Sequence, residues 1–237
     1  MFAPAAFRLD RMRNASAQVF DHLRERIVTL DLEPGTQLQR EELAAYFELS
    51  ATPIRDALTR LSEEGLVDIV PKQATVVKRI DVDSARQAHF LRLSLELEIA
   101  HLLASSPTPA LIGTLELLLS QQALALSHQD YDAFVRADQA FHRQMYVAAR
   151  AEELWHWMRS QSGNLDRLKR LHLPLSGKAA QVMADHAAIV AAIAAGDARL
   201  AQLKVREHLS GTLARLEEIR ARYPDYVSPD PEPVRSR

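Results

Sequence analysis

The chain has 237 residues, 47% hydrophobic and 25% charged, with a formal net charge of -2. That length holds one large domain or two ordinary ones, and the lack of cysteine excludes disulfides and thiolate metal sites. The charge balance excludes an argument for nucleic acid from bulk charge, so any such case rests on where individual charges sit.

Glycine is scarce while alanine and leucine are abundant, which favours helix over sheet. No segment is expected to reach the ~20 apolar residues of a membrane span. The longest weakly polar run, residues 187–195, is short and alanine-rich, and the opening MFAPAAF is too short for a secretory segment. A cytoplasmic protein without a membrane partner is the expectation.

Residues 1–13 read as a flexible tail charged by Arg8, Arg11 and Arg13. A helical pattern begins near Asn14, where Val19, Phe20, Leu23, Ile27 and Leu30 recur at spacings of three and four. Pro34-Gly35 makes a turn, and Leu43, Ala44 and Phe47 carry a short helix that breaks at Glu48-Leu49-Ser50. In the next short helix Thr52 serves as N-cap, Pro53 takes the first helical position, and Ile54, Leu58 and Leu61 form the buried face. Gly65 ends it. The period then turns extended: Leu66-Val67-Asp68-Ile69-Val70 and Ala74-Thr75-Val76-Val77 read as a strand pair around Pro71-Lys72-Gln73.

From Asp81 onward the pattern is helical, with helices expected at about 82–105, 109–127, 130–149, 151–171, 176–195 and 197–222. Connections this short imply antiparallel neighbours in a bundle. Pro224, Pro229, Pro231 and Pro233 mark a disordered tail. The predicted fold is mainly α, with a winged helix-turn-helix over 14–80, an antiparallel all-helical domain over 81–223, and a tail over 224–237.

Helix, helix, sharp turn, helix and hairpin is the order of a winged helix-turn-helix, whose reading helix inserts its N-terminal side chains into the major groove. With Ile54, Leu58 and Leu61 facing inward, Ser50, Thr52, Arg55 and Thr59 stay free. Ser50 and Thr52 sit where a helix start meets phosphate. Arg55 reaches a guanine edge or a phosphate, and Arg60 a phosphate. Lys72 and Gln73 at the hairpin tip touch the minor groove or backbone. The bland alternative is a small helical subdomain with surface arginines.

The ordered set resembles the DNA-binding domain of the GntR family of bacterial regulators. The resemblance rests on Pro34-Gly35, Leu38, Glu42-Leu43-Ala44, Ser50, Thr52-Pro53, Arg55, Ala57-Leu58, Leu61 and Glu64-Gly65-Leu66, across residues 19–77. It implies DNA contacts at Glu41, Ser50, Thr52, Arg55 and the wing tip. Two departures mean that the operator does not transfer from relatives: Ala51 stands where the family commonly has a basic residue, and Lys72-Gln73-Ala74 lacks the usual wing glycine.

In the helical part, Asp138 and His142 share a helix face at i, i+4, and His186 and His208 lie on two later helices. Converging in a bundle, these four would bind a divalent transition metal; the alternative is a polar core network without metal. Arg92 suits either a clamp on an anionic effector or a salt bridge to Glu96, one turn along. Asn164 and Arg167 are further candidates for lining an effector cavity. Residues 85–220 resemble the all-helical effector domain of the FadR-type subgroup, often called FCD. The matching residues are Arg92 with Glu96, Asp138-Gln139-Ala140-Phe141-His142-Arg143, Asp185-His186, Gly196-Asp197 and Glu207-His208-Leu209. The resemblance implies Asp138, His142, His186 and His208 as ligands of a metal such as Zn, Ni or Mn.

The expected function is a metabolite-responsive transcription regulator, a homodimer and a repressor, that binds double-stranded operator DNA and a small carboxylate effector. Effector binding is expected to alter how the bundle packs against residues 78–85. Two other classes stand beside it: a metal-dependent hydrolase with an appended DNA-binding module, and an architectural DNA-binding dimer. The sequence offers no acid/base pair beyond the four ligands and no nucleophile motif, so no enzyme is expected.

Overall fold

The computed structural model describes residues 7–70, 75–174 and 177–229. The chain divides into two compact units. One takes residues up to Ala85, Gly163–Arg170 and the chain from Arg220; the other takes Arg86–Ser162 and Leu171–Ile219. The division thus falls just after the expected boundary at 80, and two later stretches group with the N-terminal residues.

The first unit is built on α1 (Ala15–Val28), α2 (Arg40–Phe47) and α3 (Ala51–Glu63), with β1 (Gln37–Leu38), β2 (Val67–Ile69) and β3 (Thr75–Val77). Val19, Leu23 and Ile27 of α1 meet Ile54, Leu58 and Leu61 of α3 in one apolar core, as the helical spacing requires. Gly35 takes a left-handed φ of +88°, and its N–H donates to the Val77 carbonyl. That turn sets β1 beside β3, giving an antiparallel sheet in the order β1-β3-β2. Strand β1 was not expected; two residues are too few to show an alternation. Ser50, not Thr52, is the N-cap of α3, so Pro53 sits inside the first turn, where a missing N–H is still tolerated. Lys72 and Gln73 lie outside the described residues.

Residues 7–13, expected as part of a loose tail, are held in place. The buried Gln18 amide accepts from Asp10 N–H and donates to the Asp10 and Arg13 carbonyls. The segment after α11 (Leu216–Arg222) also pairs: Ile80 N–H donates to the Tyr226 carbonyl and Ser228 N–H to that of Ile80. Val227 is buried beside Ile80, so residues 224–229 depart from the disordered tail their prolines suggested.

The helix expected over 151–171 is two, α7 (Glu152–Gln161) and α8 (Gly163–His172), broken at Ser162. A side chain at Gly163 would put its Cβ 2.8 Å from Leu66 Cδ2, so the chain approaches too closely there for any other residue without a shift. The last long helix is likewise divided into α10 (Ala198–Ser210), a 3-10 turn (Leu213–Arg215) and α11.

The second unit contains most of α4 (Val82–Ser105), then α5 (Pro109–Ser127), α6 (Tyr131–Ala148), α7, α9 (Lys178–Ala194) and α10. Thr108, Asp130 and Asp197 cap α5, α6 and α10 by accepting the backbone N–H three residues on. Helix α5 packs against α6 and α9, and α9 against α10. Their core includes Leu103, Leu115, Phe141, Met145, Ile189, Ile193 and Val205. Among the described residues α5 is long and apolar enough to cross a membrane by length and composition, with a mean hydropathy of 1.3. This corrects the expectation that no segment comes near that test. The helix holds a single charge, Glu116, and its polar Ser120, Gln121 and Gln122 sit within an otherwise leucine-rich run.

Candidate metal centre and DNA interface

Helix α6 carries Asp138 and His142 one turn apart, and α9 and α10 bring His186 and His208 to the same point. One ligand atom from each of the four lies within 4.8 Å of every other. His186 Nε2 is 3.1 Å from His208 Nε2, which is 3.3 Å from His142 Nε2. Asp138 Oδ1 lies 3.5 Å from His186 Nε2 and 4.0 Å from His142 Nε2. The histidines are buried, whereas the Asp138 side chain is 20% exposed, so the cluster meets solvent on its carboxylate side.

The outer ring nitrogens explain why the inner ones converge. His186 Nδ1 bonds Gln122 Oε1 at 2.9 Å. His142 Nδ1 faces Glu96 Oε2 at 2.8 Å, off the line of a full hydrogen bond, and His208 Nδ1 faces Asp185 Oδ2 at 3.5 Å. Each Nδ1 thus confronts an acceptor oxygen, which favours a proton there and leaves the Nε2 lone pair directed inward. Burial, reinforced by the neighbouring imidazoles, pushes the His186 and His208 imidazolium pKa values well below their usual value, so both rings are neutral near pH 7. Three inward lone pairs repel one another unless a cation lies between them. Donors about 2.0–2.1 Å from a shared ion stand about 2.9–3.4 Å apart; the two Nε2–Nε2 separations fall in that range, and Asp138 Oδ1 stands farther out, at 3.5 and 4.0 Å. The donor set fits a divalent transition metal.

Of the partners, sequence reading placed Glu96 only beside Arg92 and missed Gln122. Gln122 sits seven residues after Leu115 on the buried face of α5, and a polar residue in an apolar stripe is the signal that finds it. Arg92 Nε donates to Glu96 Oε1 at 2.7 Å, so the salt bridge is formed. Burial alone would raise the Glu96 carboxyl, but Arg92 and His142 hold it well below the usual carboxylate range. The Tyr146 hydroxyl is buried with no hydrogen-bond partner among the described residues.

Asn164 and Arg167, expected at an effector cavity, belong to the first unit. Arg167 Nη1 donates to the Lys78 carbonyl and Nη2 to Asn164 Oδ1, which also accepts from Asp81 N–H. Asn164 Nδ2 donates to Ser84 Oγ. These bonds tie the start of α8 to residues 78–84, while Arg167 Nε is buried with no hydrogen-bond partner among the described residues. Burial lowers the Arg167 pKa to about 10.

His172 has no ligand role, yet it is buried, with Nδ1 3.4 Å from Thr212 Oγ1. Burial, then the Lys178 ammonium, pushes its pKa down to about 4. An unfolded histidine takes up its proton near pH 6.5 and the folded one does not until about pH 4, so stability falls as pH drops through that window. In urea titrations from pH 7 to 4, His172→Gln is expected to lose less stability than the parent chain. Parallel curves would show that His172 adds nothing to the acid limb.

On α3, Ser50, Thr52 and Arg55 are all exposed, while Ile54, Ala57, Leu58 and Leu61 are buried. Ser50 makes no side-chain cap bond, so the first-turn N–H groups remain open to an acceptor such as phosphate. Arg55 lies 3.6 Å from Asp56 with its side chain 64% exposed, and Thr59 Oγ1 donates to the Arg55 carbonyl. Glu41 is exposed on α2. The Arg60 guanidinium lies 3.9 Å over the Phe20 ring, a cation–π contact that draws it toward α1.

Residues 15–77 match the model for bacterial regulatory proteins of the gntR family, and residues 87–211 match the FCD domain. The chain is 34% identical over 218 residues to an uncharacterised HTH-type transcriptional regulator from an unstable DNA locus of Streptomyces ambofaciens, covering 92% of each chain. It is 26% identical to the HTH-type transcriptional repressor RspR of Escherichia coli, over 93% of this chain and 96% of the relative. The solved structure of McbR/YncC from E. coli superposes with a TM-score of 0.73 at 22% identity, covering 87% of this chain and 99% of that one. Family and relatives are transcription regulators, not enzymes. The chain belongs to the GntR family of bacterial regulatory proteins and is a DNA-binding transcription regulator with an FCD effector-binding domain.

Proposed function

We propose that the protein is a metal-dependent, metabolite-responsive repressor, in which Asp138, His142, His186 and His208 hold a divalent transition metal that forms part of the site for a small carboxylate effector. The observation that carries this reading is the meeting of three imidazole Nε2 atoms at 3.1 and 3.3 Å, each ring facing an acceptor on its far side. A bound divalent ion supplies a Lewis-acidic partner for a carboxylate oxygen. Arg92 supplies the second anchor. Its Nε is taken by Glu96, but its terminal nitrogens make no hydrogen bond among the described residues and keep their donors for an anion.

Operator recognition lies with the exposed end of α3. Ser50 and Thr52 meet phosphate, Arg55 reads a base edge or a phosphate, and Glu41, Arg60, Lys72 and Gln73 are further DNA contacts. Zn, Ni and Mn are the metals of choice for this donor set, and the working form is a cytoplasmic homodimer on a two-fold operator. The repressor sign follows the name of one relative, RspR. The effector acts by favouring one of two states of the dimer, with a coupling of about 1–3 kcal/mol.

Calorimetry of small organic acids (sugar acids, hydroxy acids, dicarboxylates, amino acids) against metal-loaded and chelated protein tests the site. Binding is expected only in the loaded form, and equal affinity in both rejects a metal-anchored effector. For the DNA side, Arg55→Ala is expected to weaken a duplex selected from random sequence by about 1–3 kcal/mol, with the thermal midpoint unchanged. Parental affinity in that variant would remove α3 as the reading helix.

A further inference from the structure

We propose that residues 7–13 form a second DNA-contacting element, in which Arg8 and Arg11 bind the phosphate backbone of the duplex that α3 reads. The segment is anchored at both ends. At one end Phe7 packs between His22, 4.5 Å away, and Phe47, 5.4 Å away. At the other, the Gln18 amide bonds Asp10 and Arg13, and the Met12 N–H bonds Asp10 Oδ1. Phe47 ends α2 and stands three residues before Ser50, the N-cap of α3. The anchor therefore lies close along the chain to the turn from which the reading helix starts.

The anchored segment presents cations that no described residue neutralises. Arg8 and Arg11 are exposed, and among the described residues neither makes a hydrogen bond or an ion pair. Arg13 differs, since its Nη2 lies 3.5 Å from Asp21. Holding a short arm in place lowers the conformational entropy that an arginine loses when it meets a phosphate. Leu9 is half-buried while Arg8 and Arg11 on either side are exposed, so the backbone directs the charges outward.

Charge balance supplies the second argument. Residues 14–80 carry eight Lys and Arg against eleven Asp and Glu, an acidic balance for a module that binds a polyanion. The reading helix compounds the deficit: position 51 is alanine, Arg55 shares Asp56, and Arg60 is stacked on Phe20. Residues 1–13 add three arginines against one aspartate. Without them, attraction to the duplex falls to very few side chains.

Salt dependence on the full-length protein tests the proposal, because each neutralised phosphate contributes a slope of about 0.9 in log affinity against log salt. The probe is a mixed-sequence duplex of about 40 base pairs, followed by fluorescence anisotropy from about 50 to 200 mM KCl. Arg8→Ala/Arg11→Ala is expected to flatten the slope by about 1.8 per bound protomer and to weaken binding about tenfold or more near 100 mM. Phe7→Ala keeps the charges but frees the arm, and is expected to lose part of that affinity. Arg136→Ala/Arg199→Ala removes the same charge from exposed positions of the second unit, and is expected to keep the parental slope. A parental slope in the Arg8/Arg11 variant overturns the proposal. So does an equal loss in the Arg136/Arg199 variant, which would make the effect one of net charge.

Discussion

Restoring Zn2+ or Ni2+ to chelator-stripped protein is expected to raise its thermal midpoint by about 8–16 °C. A ligand at a thousand times its dissociation constant stabilises the folded state by about 4 kcal/mol, and about 1 kcal/mol moves the midpoint of a chain this size by 2–4 °C. The rise has a specific structural origin. In the stripped protein, the buried His142, His186 and His208 bring their Nε2 atoms together across 3.1 and 3.3 Å, with burial keeping His186 and His208 neutral. Among the described residues, Asp138 Oδ1, 3.5 Å from His186 Nε2, is the acceptor at their meeting point. His186→Gln removes the least exposed of the ligands and is expected to abolish the rise while folding at the stripped protein's midpoint or above, because one source of repulsion has gone. If stripped and loaded proteins melt together, or the His186→Gln variant still responds to metal, the cluster is a polar core network and the effector reading loses its anchor.

What the sequence disclosed and what it withheld follow from the range of the interactions. The face of α3 was legible because Ile54, Leu58 and Leu61 repeat at helical spacing, and one local pattern decides which side is buried. Asp138 and His142 were legible as a pair for the same reason, whereas their meeting with His186 and His208 needed the family resemblance, since no periodicity links α6 to α9 and α10. The acceptors behind the histidines were largely hidden. Gln122, Glu96 and Asp185 come from three different helices, and no local pattern ties any of them to its histidine until the bundle closes. Asn164 and Arg167 were candidates for lining an effector cavity from their place on a bundle helix. After the break at Ser162 they hydrogen-bond residues 78–84. Proline-rich composition suggested disorder after residue 223, but one buried valine and two backbone hydrogen bonds hold residues 226–228 to Ile80.

Glu96→Ala is expected to destabilise the protein by about 3–5 kcal/mol, among the largest effects of any single substitution outside the apolar core. Glu96 is fully buried and answers an arginine whose side chain is 6% exposed, so its removal leaves the Arg92 charge in a medium that cannot solvate it. The same carboxylate faces His142 Nδ1 at 2.8 Å, and loss of such an outer partner lowers metal affinity by about 10–100-fold. The single variant therefore mixes two effects. Arg92→Met/Glu96→Leu separates them, because exchanging both members of a buried pair for apolar side chains of similar volume leaves stability nearly unchanged or better. Chemical denaturation of this double variant is expected to return most of the lost stability, while metal titration still shows the weakened affinity of Glu96→Ala. If affinity recovers along with stability, Glu96 serves the fold alone and His142 is oriented by its packing on Phe141 and His208. If neither recovers, the ion pair and the metal ligand form one cooperative unit, and the position of Arg92 depends on the same carboxylate that orients the histidine.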